Sequence, residues 1–484
     1  MSFVLPEVIE GLKADDVKTY HYLSRRLMAK RQRNKLRNAY YDGKNELHDI
    51  GYSLPPVASD INIVVGWAEK AVEVLANRII IDGVRATSGD VPDELTQLIE
   101  DNNLFQLAAQ AHTSALVNSC AFIALLKGKK DEPKSIIEVF TADHATGVWD
   151  SRCRRLSSAL LVETFDDGEE TPRTIYLMRD GHTLTIERDN SKKWKVISDI
   201  NYYTRIPCEL LAYRPDCKRP FGRSRISRAV MSYTDSAVRT FLRSELQADL
   251  YSVGSRYILG ANKQMFSDED GNEVPKWKLL LDSLMVIPNN PKTGLTPSVG
   301  QFQQASFQPH IDQLRNTASM FAAATSMPPD EMGVLTDNPS SAEAIDKAQK
   351  ELCLIAESCQ AAFGTAWLNI IHKAVKADTS NIVLQWRNPA TPSRAASADA
   401  AVKLVSTGVL PADSEVVYDM LDLNDAQRKS LRAYQAKKRA QEHIDQLRAK
   451  LAQTTTDETK AADNGLATNA GPVQSGVRET PEVS

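Results

Sequence analysis

Few residues in this chain stand at a spacing that could do chemistry. GRSRI at 222–226 begins like the turn that presents a nucleophilic serine. Ile226 stands where the closing glycine belongs, and the stretch opens a helix rather than following a strand. The acidic turn SDEDGNE at 267–273 invites calcium. With Gly271 at the sixth position of a calcium loop, Phe266 takes the first ligand position and Trp277 the twelfth, where a bidentate glutamate is required. A hairpin turn at Asp270-Gly271 is the better reading. Asp143-His144 lies in a turn between strands, where a lone pair of this kind is more often structural than catalytic. No GxxxxGK[ST] loop occurs, so ATP hydrolysis is not expected, and HExxH is also missing. Cys120, Cys153, Cys208, Cys217, Cys353 and Cys359 form no CxxC pair and read as free thiols of a reducing compartment. No catalytic residue, metal ligand or cofactor is expected.

The other chemistry-bearing feature is charge. Lys18 to Arg37 holds eight Lys or Arg and no Asp or Glu. Arg25, Arg26, Lys30, Arg31, Arg33, Lys35 and Arg37 are therefore candidate contacts to nucleic acid or an acidic partner. The competing reading is a solvated helix face, or one paired with acidic neighbours. Over all 484 residues, 58 Lys and Arg face 62 Asp and Glu, a net charge of -4. That argues against a protein whose main task is to grip phosphates, which needs a strong positive excess. Loose guidance of DNA is compatible with it. No apolar run reaches membrane-spanning length, and the N-terminus lacks a basic segment followed by an apolar one. Neither a membrane role nor secretion is expected.

The elements that must position these residues read as α+β, mainly helical. At 42% hydrophobic and 25% charged the composition is that of an ordinary folded protein, and the length implies several sub-domains. Periodicity predicts helices over 13–42, within 63–81 and within 95–116. From 135 to 213, β-rich runs (IIEVF, SSALLVETF, RTIYLM, TLTIER, KWKVI) alternate with turn signals and predict an antiparallel meander. The stretch 223–253 has neither Gly nor Pro and reads as one long amphipathic helix. An insert with short strands at RYILG and LMVIP fills 255–306.

A helix between Pro309 and Pro328 follows, with Ile311, Leu314, Ala318 and Phe321 on one face. Its neighbouring face is small: Ala318, Ser319, Ala322, Ala323 and Ala324. Small residues let backbones approach closely, so this helix is expected to pack on more than one side. A core helix within one subunit and a wall between subunits both fit. The helix halts at Pro328-Pro329, and Ser340-x-x-Glu343 after Pro339 is a capping box that starts a new helix running to about Val375. The loop 328–339 is thus held at both ends. A helical C-terminal region over 394–451 and an aromatic-free tail over 452–484, read as disordered, complete the chain.

This order of parts resembles the portal proteins of tailed bacteriophages, of the siphovirus-like, actinobacterial phage type. YYDGKNEL at 40–47, FGRSRISRAVMSYTDSAVRT at 221–240 and SMPPDEMGVLTDNPSSAEAI at 326–345 carry the likeness locally. The resemblance implies a portal fold with wing, stem, clip and crown. Residues 1–222 would form the wing, 224–254 and 307–327 the stem, and 255–306 the clip. Residues 328–339 would be the tunnel loop, 340–378 a long wing helix and 379–451 a helical crown. It also implies a closed ring of about twelve chains at one capsid vertex of the virion, assembled in the host cytoplasm. Double-stranded DNA would pass through the channel for packaging and ejection. The terminase large subunit would dock on the ring, then head-tail connector proteins, with major capsid protein and scaffold as further partners.

On that reading Leu335, Thr336, Asp337 and Asn338 face DNA, while Pro328, Pro329, Pro339, Ser340 and Glu343 anchor the loop. Ile311, Leu314, Ala318, Phe321, Ala322 and Ala323 pack the stem. Two rival readings stay open: a minor capsid or head-tail adaptor protein with no channel role, and a metal-dependent DNA-processing enzyme. No cluster of carboxylates beside a basic cleft favours the enzyme.

Overall fold

The computed structural model describes residues 3–47, 63–88, 90–165, 171–189, 193–201, 204–252, 256–260, 294, 296–301, 306–333, 342–390, 394–421, 423 and 425–466. It divides into two compact units, Met1–Thr391 and Pro392–Ser484. Helix outweighs strand, in an α+β arrangement.

In the first unit, α1 (Ala14–Tyr41) buries Tyr20, Leu23, Leu27, Arg31 and Asn34. These recur every three or four residues, so one stripe of the helix faces inward. It lies on a five-stranded antiparallel meander of β4 (Ala145–Asp150), β5 (Arg155–Thr164), β6 (Pro172–Arg179), β7 (His182–Arg188) and β8 (Trp194–Ile200). The alternate residues Leu160, Val162, Ile175, Leu177, Leu184 and Ile186 meet Tyr20, Leu23 and Leu27 in one apolar cluster.

A second antiparallel sheet runs in the order β3 (Ser135–Thr141), β2 (Cys120–Lys127), β9 (Cys208–Ala212). The run IIEVF, expected in the meander, belongs here, with Phe140 opposite Phe122. The first six residues of β2 are all buried, as the central strand of a covered sheet requires.

Three further helices precede or cover that sheet: α2 (Trp67–Ala76), α3 (Asp93–Asp101) and α4 (Leu104–Asn118). Between α2 and α3 lies β1 (Ile81–Ala86), which pairs antiparallel with β12 (Ile382–Trp386). Residues 379–391 therefore fold with the first unit rather than opening a helical C-terminal region at 379.

The helix α5 (Arg228–Ser252) and the helix α6 (Gln308–Thr325) pack along each other. They run antiparallel: Nε2 of His310 meets Oε1 of Gln247 at 2.6 Å, while Arg225, just before α5, reaches the Thr325 carbonyl at 2.9 Å. From the Gln247 end the chain leads into β10 (Arg256–Leu259), which pairs with β11 (Ser298–Gln301). Tyr257 stands opposite Gly300, and its ring lies over the glycine, where an added Cβ would displace the exposed tyrosine side chain. Residues 261–293 of the 255–306 insert, including SDEDGNE, lie outside the described residues.

The helix α7 (Ala342–Ala374) carries Leu352, Ile355, Phe363, Trp367 and Ile370 through the core of the first unit. Its 33 residues give a rod of about 50 Å.

The second unit consists of α8 (Arg394–Ser406), α9 (Glu415–Met420) and α10 (Asp425–Leu466). Ser414 caps α9 by accepting from the Val417 amide. Arg428 is buried between α9 and α10, donating to Asp419 at 2.6 Å and to the Leu423 carbonyl at 2.7 Å. The helix α10 continues to Leu466, past the 451 boundary, because neither Pro nor Gly intervenes before Gly465. Residues 467–484 of the expected tail lie outside the described residues.

Candidate functional site at the helix junction and the basic helix

The structure converges at the point where α5 begins and α6 ends. Ser224 Oγ donates to the Val117 carbonyl at 2.5 Å and accepts from the Ile226 amide at 2.9 Å. Its neighbour Arg225 is almost fully buried. The guanidinium donates to the carbonyl of Ala71 in α2, to that of Thr325 at the end of α6, and to the Tyr213 hydroxyl beyond β9. One side chain thus ties both long helices to the α2 layer. Read as a failed serine motif, GRSRI gave no sign of this, because nothing in the run distinguishes the buried Arg225 from its exposed neighbour Arg223.

The loop that follows α6 is fixed where it starts. Ser326 closes the helix in the left-handed conformation, at φ 53, and its hydroxyl hydrogen-bonds Glu351 of α7 at 2.6 Å. Pro328 is buried, and Pro329–Met332 forms a single 3₁₀ turn ended by Gly333 at φ 72. Glu331 within that turn pairs with Lys70 at 3.0 Å and lies 3.8 Å from Arg78. Leu335, Thr336, Asp337, Asn338, Pro339 and Ser340 lie outside the described residues, and so does the side chain of Glu343.

The residues assigned to stem packing divide between two sides of α6. Ala318, Phe321 and Ala322 are buried; Phe321 meets Trp67 of α2 with ring centroids 5.3 Å apart. Leu314 is half-buried, whereas Ile311 and Ala323 are exposed. The small residues therefore do not act as one face. Ala318 and Ala322 admit neighbours of the same chain, while Ser319, Ala323 and Ala324 look outward.

The basic segment divides in the same way. Arg31 is buried, stacks over Phe3 at 3.7 Å and donates to the Asp143 carbonyl. Asn34 and Asn38 bind the same 142–143 turn, Asn38 through the Asp143 carboxylate. Asp143 is thus part of a docking point for α1, while the His144 ring packs edge-on against Phe3 at 5.5 Å. Arg26 lies over Phe221 at 4.6 Å, and Arg37 donates to the Asn118 carbonyl. Burial, then Arg33, lowers the Arg37 pKa to about 10. Arg25, Lys30, Arg33 and Lys35 are exposed. Lys30 is lowered from its ordinary value by desolvation and then by Arg26 and Arg33.

Four cysteines are buried, Cys120, Cys208, Cys353 and Cys359, while Cys153 and Cys217 are exposed; all six are free thiols. Among the described residues no helix is long and apolar enough to cross a membrane.

A family model described as phage portal protein, SPP1 Gp6-like, matches residues 20–453. The portal protein of Mycobacterium phage L5 is 28% identical over 388 residues, which is 76% of this chain and 78% of that protein. That of Mycobacterium phage D29 is 27% identical over 387 residues, with the same shares of 76% and 78%. Among solved structures, the neck of an empty GTA particle computed with C6 symmetry is similar at a TM-score of 0.46 and 14% identity, over 74% of this chain and 90% of that one. A likeness that loose bears on neither the fold nor the function.

Proposed function

The chain belongs to the phage portal protein family, SPP1 Gp6-like, and on that premise we propose that it closes into a ring of about twelve copies around a channel for double-stranded DNA. The match over residues 20–453 is the observation that carries the reading. Proteins of this family are structural components of the virion, and a role as a scaffold rather than an enzyme follows. Residues 1–222 with the long helix 340–378 are the wing, the paired helices α5 and α6 the stem, and 255–306 the clip. The second unit is the crown. The clip is the platform for the terminase large subunit and later for head-tail connectors, and capsid protein surrounds the wing.

The loop 328–339 is the part that faces DNA. Two features support it: a base clamped by Glu331 and by the Ser326–Glu351 hydrogen bond, and a tip that carries no Lys or Arg. Such a tip touches phosphates without holding them. Changing Asp337 and Asn338 together to Lys adds about two dozen positive charges around the ring, since the closed assembly repeats each residue. Each attracts phosphate and releases counterions, so DNA packaged per prohead should slow, most at low salt, with ring formation unchanged. Unaltered packaging kinetics across a salt series would remove this loop from the DNA path.

A further inference from the structure

The basic stripe of α1 and the acidic helix α3 lie toward opposite ends of α4. Arg26, Lys30, Arg33 and Arg37 follow one another at steps of four, three and four, which places them on one helix face. Their mutual repulsion shows in the lowered pKa of Lys30, to which Arg26 and Arg33 contribute after desolvation. Among the described residues no carboxylate is paired with Arg26, Lys30 or Arg33. The loop 214–222, whose Phe221 lies against Arg26, carries exposed Arg214, Lys218 and Arg219, while its one carboxylate, Asp216, is paired with Arg223 at 2.7 Å. Gly222 holds it there: at φ +68, an added Cβ would fall 2.9 Å from the Ser119 carbonyl.

The complementary charge lies on α3. Its sequence DELTQLIED contains Asp93, Glu94, Glu100 and Asp101, all exposed, and no Lys or Arg. Two elements measure the separation. The helix α4 starts directly after α3 at Asn103, and its last residue Asn118 hydrogen-bonds Asn38 and Arg37 of α1. The strand β3 starts where Asn102 binds Ser135 and Ile137, and runs to the 142–143 turn that receives Arg31 and Asn34. Fifteen helical residues span about 22 Å, so one subunit cannot neutralise its own stripe with α3.

We infer that the basic stripe of α1 docks on α3 of the next copy of this chain, as the head-to-tail contact that closes the ring. This rests on the ring reading above. Two different patches set apart on one subunit by the length of α4 are what a heterologous contact needs. Opposite charges there also set the orientation of docking and reject wrong pairings.

The test uses two full-length variants that touch only exposed residues, Lys30→Glu/Arg33→Glu and Glu100→Lys/Asp101→Lys. Assembly is read by mass photometry and electron microscopy at 0.15 M salt, and folding of each variant by thermal unfolding. Each variant alone should lose rings by roughly tenfold or more, because like charges then meet. An equal mixture should recover rings containing both, since each reversed flank then finds its complement. Either variant forming rings as the wild type does overturns the contact, as does a mixture of folded variants that fails to recover them. Intact rings with weaker binding of a short duplex oligonucleotide by Lys30→Glu/Arg33→Glu would assign the stripe to phosphates instead. A wild type that never assembles removes the ring reading as well, which the variants alone cannot do.

Discussion

Two buried side chains show how single residues set the behaviour of the core. His112 in α4 is fully enclosed, with Nδ1 2.9 Å from the Ile79 carbonyl and Nε2 3.0 Å from the indole nitrogen of Trp367. An indole N–H only donates, so Nε2 accepts, Nδ1 carries the proton, and the ring is neutral. Burial lowers its pKa from 6.5 to about 4. The unfolded chain therefore takes up a proton below about 6.5 that the folded chain refuses until about 4. Stability from this site is complete above that window and lost on acidification through it, by on the order of 3 kcal/mol. Denaturant midpoints measured from pH 7 to 4 should fall more steeply for the wild type than for His112→Gln; parallel curves would contradict this. Arg225 acts through geometry. Arg225→Met leaves the Ala71 and Thr325 carbonyls without their donor, and urea unfolding should show a loss of about 3 kcal/mol or more. A loss under 1 kcal/mol would mean that water replaces the guanidinium.

At the scale of elements, α6 has two working sides. Ala322→Leu pushes a larger side chain into the packed side and should destabilise the isolated subunit by about 1–3 kcal/mol. Ala323→Leu faces outward and should leave subunit stability within about 0.5 kcal/mol while altering assembly if a neighbour packs there. Equal thermal shifts in both variants would contradict the division. The sequence showed the small residues but not this split, because Ala318, Ala322 and Ala323 carry no signal of what lies opposite them. The helices α1, α5, α6 and α7 were legible to within a few residues, since each shows a long helical period, interrupted in α7 only by Gly364. The strand β2 was not, because a strand covered on both faces has no alternation to read. The pairing of β1 with β12 joins segments about 300 residues apart, beyond the reach of any local pattern.

For the whole molecule, the acidic net charge and the basic segment looked contradictory as sequence. The structure resolves part of this by burying Arg31 against Phe3 and half-burying Arg26 and Arg37, so much of the segment holds α1 on its sheet. Order and spacing of the parts made the family legible, whereas the loop tip that carries the DNA-facing proposal has no local motif of its own. The ring is the central claim, and the mass of the purified chain tests it most directly. Native mass measurement with electron microscopy should find a closed, hollow ring of about twelve copies. A stable monomer at high protein concentration, or a compact dimer with no central opening, would contradict the account.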